Sequence, residues 1–275
     1  MLQFAVAGVP LTTPKPGGTV EGLKHAAKLG ITAMELEWVQ RVPPNEDRMI
    51  LINKTAKELG MTLTVHAPYY INLNSPDPAT LVASKKRILD ALRMSEIAGV
   101  RSVCVHPAFN LGQPPEAVYE NVRRAVDDIM SHKFKEFPSV NLGLETMGKS
   151  TQFGTLEEVL RISQEFDIYP VVDPAHMHAR TNGLINTAKE WEEMLDMYES
   201  YLGKASLKDV HMHFSGIAYG PKGEKHHLPL LESDARWEDF LKVLKKRKVE
   251  GVCVCESPLL EKDTLLMQKT YKALK

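Results

Sequence analysis

The chain is poor in cysteine: its 275 residues include three, Cys104, Cys253 and Cys255. An odd, low count excludes a disulfide framework and suits a reducing compartment. No apolar run approaches the roughly 20 residues that a membrane-spanning helix needs, so no membrane partner is expected. The opening MLQFAVAGVPLTT lacks the basic start and long apolar core of a secretory signal, which points to the cytoplasm. Net charge is also missing, since 34 Lys and Arg face 35 Asp and Glu for a formal −1. That balance excludes a polyanion binder working through bulk positive charge. It leaves room for a local site whose positive charge comes from something other than Lys and Arg. Low-complexity segments, long linkers and repeats are absent too. What remains is an ordinary globular composition with one unusual feature, ten histidines.

Short β-branched or alternating runs recur along the chain. They are Leu2–Val9, Ile31–Trp38, Met61–His66, Val100–His106, Val140–Thr146, Ile168–Asp173, Leu207–His213 and Gly251–Glu256. Each is followed by a segment of helical periodicity, such as Val118, Val122, Ala125, Val126 and Ile129. Thr155-x-x-Glu158 and Thr187-x-x-Glu190 read as capping boxes that open two of the helices. Eight strand–helix units predict a single α/β domain over 1–275, a (β/α)8 TIM barrel, with a doubly wound open sheet as the alternative. Strand parity favours the barrel. Thr62, Thr64 and His66 share one face, as do Ser102, Cys104 and His106, and Asn141, Gly143 and Glu145. Small or polar residues suit a narrow interior, and the aliphatics between them suit a helix-covered outside. The seventh run is less clean, because Lys208 and Asp209 fit neither face.

The strand ends carry the chemistry. His66, His106, Glu145, Asp173 and Glu256 close strands three, four, five, six and eight, and His176 follows Asp173 by three residues. His211 and His213 end strand seven, and Glu224, His226 and His227 lie in the loop after it. In a barrel these positions meet at the C-terminal rim, where active sites of this fold sit. A lone rim histidine is usually structural, but His or an acid at the ends of six successive strands is not. Such side chains are the usual ligands of zinc, manganese and iron. Their number exceeds one tetrahedral ion and calls for two or three metals that share bridging carboxylates. Clustered metals bring local positive charge, acidify a water to a pKa of about 7 and stabilise a leaving oxygen. That equipment suits hydrolysis of a phosphodiester.

The segments VHAPYYINL (65–73), VHPA (105–108), LETMGKSTQFGT (144–155), VVDPAH (171–176), VHMHFSG (210–216), GEKHHLPL (223–230) and CESP (255–258) resemble endonuclease IV, the zinc-dependent apurinic/apyrimidinic endonucleases. The resemblance implies three zinc ions, with manganese or iron suited to some sites. It implies His66, His106 and Glu145 around one ion. Glu145 would bridge to a second, shared with Asp173, His211 and Glu256. His176, Glu224 and His226 would hold the third. Glu145 and Glu256 are the implied catalytic carboxylates, and duplex DNA with an abasic site is the implied partner of a monomeric enzyme of base-excision repair. Tyr69 falls where the family places an aromatic that enters the DNA stack, and Arg41 where it places a lesion-probing arginine. Two departures stand out. Glu224-Lys225-His226 replaces the family's Asp-x-His, and the seventh strand reads HMHF instead of His-Leu-Asn-Asp, which leaves His213 unassigned.

Other conspicuous residues read more plainly. Gly143-x-x-x-x-Gly148-Lys149-Ser150 matches the phosphate-loop pattern, but its first glycine lies inside a strand and the helix opens at Thr155, so it is rejected. Lys149 then lies on a rim loop near DNA phosphate, and Lys222, Lys225 and Arg180 flank the metal loops as phosphate contacts. The run Lys245–Lys248 ends a helix, where cations complement its dipole. Cys253 and Cys255 read as packing residues and Cys104 as a barrel filler, while His178 and His227 neighbour the ligands. A competing reading is a sugar isomerase or 3-epimerase with one metal on Glu145, Asp173, His211 and Glu256. It leaves His66, His106, His176 and His226 without a purpose. A third is a metal-loaded DNA-binding scaffold in which Glu224 has abolished catalysis. A count of bound metals separates the first two.

Overall fold

The computed structural model describes residues 1–274. Eight parallel strands form a closed barrel: β1 (Leu2–Ala7), β2 (Ala33–Glu37), β3 (Thr62–His66), β4 (Ser102–Val105), β5 (Asn141–Glu145), β6 (Tyr169–Val172), β7 (Val210–Phe214) and β8 (Gly251–Cys255). They follow one another around the ring, and β8 closes on β1 with Leu2 opposite Gly251 and Val6 opposite Cys255. Around them run α1 (Thr19–Lys28), α2 (Glu46–Leu59), α3 (Pro78–Ala98), α4 (Pro115–Glu136), α5 (Leu156–Phe166), α6 (Pro174–Arg180), α7 (Ala188–Leu202), α8 (Trp237–Lys246) and α9 (Glu261–Ala273). The barrel, not the open sheet, is the architecture.

Local chemistry explains the boundaries. Asp77 caps α3 through the amides of Ala79 and Thr80, with Pro78 just inside. Both capping boxes form: Glu158 accepts from Thr155 N at 2.8 Å, and Glu190 from Thr187 N at 2.7 Å. No helix begins at Lys149, which agrees with rejecting the phosphate loop. The misfit of Lys208 also resolves, because Lys204–Lys208 is a short 3-10 turn and β7 starts at Val210. Additions break the strand–helix rhythm: after β4 and β5 the short segments Ala108–Phe109 and Gln152–Phe153 pair antiparallel. After β7 the chain forms an antiparallel ribbon, Gly216–Gly220 against Gly223–Leu228, before α8.

Parity distributes the core as expected. Met34, Leu63, Val103 and Leu142 face outward and pack with helix residues such as Ile52, Ile88 and Val126. Trp191, Tyr198, Phe214 and Phe240 anchor a second cluster, where the Phe214 and Phe240 rings stack 4.8 Å apart. Each fully buried large side chain contributes about 1.5–3 kcal/mol. Inside the barrel, Ala5, Ala33, Val252 and Val254 form a small apolar plug. Glu35, Thr64, Ser102, Cys104, His211 and His213 are buried on the inward faces as well. The fold therefore offers an apolar plug and a buried polar interior.

Candidate metal centre

The strand ends deliver their side chains to one place. His66 closes β3, His106 follows β4, and Glu145 closes β5. His106 Nε2 lies 2.8 Å from Glu145 Oε2, His66 Nε2 lies 3.6 Å from the same oxygen, and the two imidazole Nε2 atoms are 3.2 Å apart. Asp173 follows β6 and caps α6. Its Oδ1 accepts the amides of Ala175 and His176 at 2.7 and 3.0 Å. Pro174 fixes the first helical position, so His176 leaves the same helix end toward the site. His176 Nδ1 is 3.6 Å from Asp173 Oδ2 and 3.4 Å from Glu145 Oε1. Donor atoms of Glu145, Asp173, His176 and Glu256 all lie within 4.8 Å of one another. Glu145 thus touches both sides of the cluster, as a bridging carboxylate must.

The ribbon after β7 supplies the third corner. Glu224 N donates to Gly148 O at 3.0 Å, which ties the ribbon to the loop after β5. The approach requires glycine on both sides. A Cβ on Gly223 (φ +88°) would sit 2.2 Å from Gly148 O, and one on Gly148 2.7 Å from Glu224 Cβ. Glu224 Oε2 then lies 3.7 Å from His176 Nε2, and His227 Nε2 lies 3.5 Å from the same nitrogen.

Three of the expected site residues stand apart from the cluster. His226 is exposed, while His227 lies with His176 and Glu224. A regular strand would put Glu224 and His226 on one face, but the pairing jumps from Tyr219↔Glu224 to Ala218↔His226. That bulge absorbs Lys225 and switches the parity, so Glu224 and His227 share a side. On β7, His213 faces the cluster and His211 does not. Both point inward from β7, but His211 is roughly 6.6 Å deeper, with Nδ1 3.0 Å from Ser102 Oγ and Nε2 3.0 Å from Glu35 Oε2. His213 Nδ1 instead reaches Glu145 Oε1 at 3.1 Å and Glu256 Oε1 at 3.4 Å. Arg180 Nη1 donates to the carbonyls of Met147, Lys149 and Gln152, and so it braces the loop after β5. Tyr69 stands at the mouth, 47% exposed, with its ring 5.1 Å from His66 and 5.2 Å from His106. Arg41, Lys222 and Lys225 are exposed and Lys149 is half-buried. His178 is turned away, held by Ile185 O and Asp234. Sequence reasoning gave Glu35 no role. Its readable signal was an acid at inward parity in the middle of a barrel strand. Cys104 Sγ, 3.3 Å from Glu145 Oε2, also stands closer to the cluster than a filler would.

The electrostatics fit cations. Among the described residues, every ion-pair partner of Glu35, Glu145, Asp173, Glu224 and Glu256 is a histidine. Burial pulls the His66 and His176 pKa values down, but the acids outweigh it, Glu145 foremost for His66 and Asp173 for His176. They hold His66 at about 10 and His176 at about 9. Burial raises Asp173 above the usual carboxylate range. Asp173 Oδ2 and Glu256 Oε2 are buried without a hydrogen-bond partner, although each faces the cluster. Unpaired buried carboxylate oxygens among imidazoles are what divalent ions satisfy, so the donor set fits metal.

Comparison with known proteins places this geometry. Residues 23–274 match the family model described as a xylose isomerase-like TIM barrel. An uncharacterized protein of Methanocaldococcus jannaschii is 37% identical over 100% of this chain and 98% of its own. A probable endonuclease 4 of Aquifex aeolicus is 24% identical over 76% of this chain and 77% of its own. Among solved structures, a D-tagatose 3-epimerase-like protein superposes with a TM-score of 0.73 at 18% identity, covering 98% of this chain and 96% of that one. At that identity the likeness speaks for the fold alone, so the site has to separate the two chemistries.

Proposed function

Because the chain belongs to the xylose isomerase-like TIM-barrel family, we propose that it is a metal-dependent phosphodiesterase that incises duplex DNA at abasic sites, an apurinic/apyrimidinic endonuclease of base-excision repair. The observation that carries this reading is the pair His66 and His106 set against Glu145 at 3.6 and 2.8 Å. A mononuclear sugar 3-epimerase would use Glu145, Asp173, a β7 histidine and Glu256. It would leave His66 and His106, along with Glu224 and His227, with nothing to do.

His66, His106 and Glu145 would hold one ion. Glu145, Asp173, His213 and Glu256 would hold a second, and His176, Glu224 and His227 a third. Zinc suits these donors, and manganese or iron suits the carboxylate-rich position. Bound there, the ions supply Lewis-acid charge and lower the pKa of water toward 7. Glu145 would be shared by two ions, because its Oε2 faces His66 and His106 and its Oε1 faces His176 and His213. Glu256 and Asp173 contribute oxygens that have no other partner. Tyr69 offers an exposed ring beside the donors on which a neighbouring base can stack. Lys149, Lys222, Lys225 and Arg41 are the cations available to flanking phosphates. Hydrolysis 5′ to the lesion adds water across the P–O3′ bond and leaves a 3′-hydroxyl and a 5′-deoxyribose phosphate.

The test is a duplex carrying a single tetrahydrofuran site. Zinc-loaded protein should cut it once, on the 5′ side, and should hold about three metals per chain. An intact duplex would sink the proposal, and one bound manganese or magnesium together with epimerisation of a ketohexose would favour the other chemistry.

A further inference from the structure

Four histidines of the metal centre divide by what stands nearest to Nδ1. His66, His176 and His227 each place Nδ1 against a backbone carbonyl: Ala67 O at 2.8 Å, Thr146 O at 2.9 Å and Glu256 O at 3.1 Å. A carbonyl only accepts, so Nδ1 carries a proton and Nε2 is the nitrogen that would offer a lone pair to a metal. His213 is inverted, because its Nδ1 faces Glu145 and Glu256. To coordinate through Nδ1 it must carry its proton on Nε2, and a buried N–H needs an acceptor.

Glu35 is that acceptor. Its Oε1 lies 3.0 Å from His213 Nε2, both side chains are fully buried, and neither atom has a hydrogen-bond partner. The two face each other at 3.0 Å outside hydrogen-bond geometry. The other oxygen of Glu35 is held from below by His211 Nε2 at 3.0 Å, and His211 Nδ1 meets Ser102 Oγ at 3.0 Å. Ser102, His211, Glu35 and His213 form a buried column from the barrel interior to the metal centre.

We infer that Glu35 is a positioning residue for this centre: it holds the Nε2–H form of His213 and presents Nδ1 to metal, while His211 braces Glu35. The arrangement explains why β7 carries two histidines where one ligand suffices. An ion on Glu35, His211 and His213 Nε2 is the competing use. That trio offers three donors inside a closed interior, with the nearest nitrogen of His211 already bonded to Glu35, and three is short of the four that structural sites take.

The inference rests on the metal-centre reading above, and the experiment separates the two. Protein with isotope-labelled histidine is loaded with zinc, and the nitrogen resonances of His213 are assigned by their loss in His213→Gln. The expected result is a protonated Nε2 and a zinc-shifted Nδ1 on His213, opposite to His66, His176 and His227. A protonated Nδ1, or zinc on Nε2, would overturn the inference and leave the metal centre standing. Zinc-independent spectra for all the site histidines would remove the metal centre and the inference together. Glu35→Gln provides the second readout. Its zinc affinity should fall about 10–100-fold with native far-ultraviolet circular dichroism, and unchanged affinity would overturn the role of Glu35.

Discussion

The two mouths of this barrel are built from the same kinds of residue to opposite ends. At the mouth where the strands begin, acids meet permanent cations. Arg247 binds Glu192, Asp196 and Glu199 at 2.9, 2.7 and 2.9 Å. Arg101 pairs with Asp209 at 2.9 Å and also donates to the Asp209 and Val210 carbonyls. Lys208 pairs with Glu250 at 3.1 Å. At the mouth where the strands end, the acids of the cluster pair only with histidines among the described residues, and Asp173 Oδ2 and Glu256 Oε2 are buried without a hydrogen-bond partner. One mouth is electrostatically complete, and the other gathers His, Asp and Glu donors that could hold metal ions. This sharpens the meaning of the near-zero net charge. Three divalent ions would bring six positive charges to one mouth, so affinity for DNA should depend on metal occupancy and not on surface Lys and Arg.

The sharpest way to break the comparison is Glu145→Gln. The amide keeps size and hydrogen bonding but removes the charge that two groups of donors share. Metal charge stabilisation is worth several kcal/mol, and about 4 kcal/mol is roughly a thousandfold in rate. Incision of the tetrahydrofuran duplex should fall at least that far, with native circular dichroism. Activity within tenfold of the parent would show that Glu145 does not bridge.

The contrast between the mouths was partly legible in sequence. All eight strands could be read because β-branched alternation is local, and the rim acids could be read because they end those strands. Choosing among neighbours was not local. His211 and His213 share a face, and only the positions of Glu35, Glu145 and Glu256 on other strands decide which one is at the rim. His227 displaces His226 because of one bulge in a ribbon whose register depends on its partner strand. The three carbonyls that hold Arg180 Nη1 leave no side-chain pattern to read in the sequence. The Lys245–Lys248 run was read as a helix end, and Arg247 there is tied to acids of α7.

The second prediction titrates one mouth and not the other. His66 at about 10 and His176 at about 9 lie above the unfolded value near 6.5. Groups raised in this way stabilise the fold fully below pH 6.5 and lose that contribution as pH climbs through 9 and 10. Arg247 and its carboxylates keep their charges across that window. Metal-free protein should therefore melt progressively lower from pH 7 to pH 10. Zinc replaces the protons on these histidines, so its protection should grow with pH over the same range. At a hundredfold excess over Kd one ion adds about 2.7 kcal/mol, and at about 2–4 °C per kcal/mol this is roughly 5–10 °C. A metal-free melting temperature that is flat between pH 7 and pH 10 would contradict the histidine–carboxylate balance.

The smallest effect should come from the completed mouth. Arg247→Met removes three ion pairs and keeps much of the aliphatic packing. Arg247 and Glu192 are only 17% and 23% exposed at the side chain, but Asp196 is 68% exposed, so solvent screens part of the gain. The loss should be about 1 kcal/mol, or roughly 2–4 °C in melting temperature. Incision rate and zinc stoichiometry should not change, because the acids that Arg247 binds lie on α7 and none belongs to the metal centre. If Arg247→Met altered zinc binding as much as it altered stability, the two mouths would be coupled, and assigning stability to one and chemistry to the other would fail.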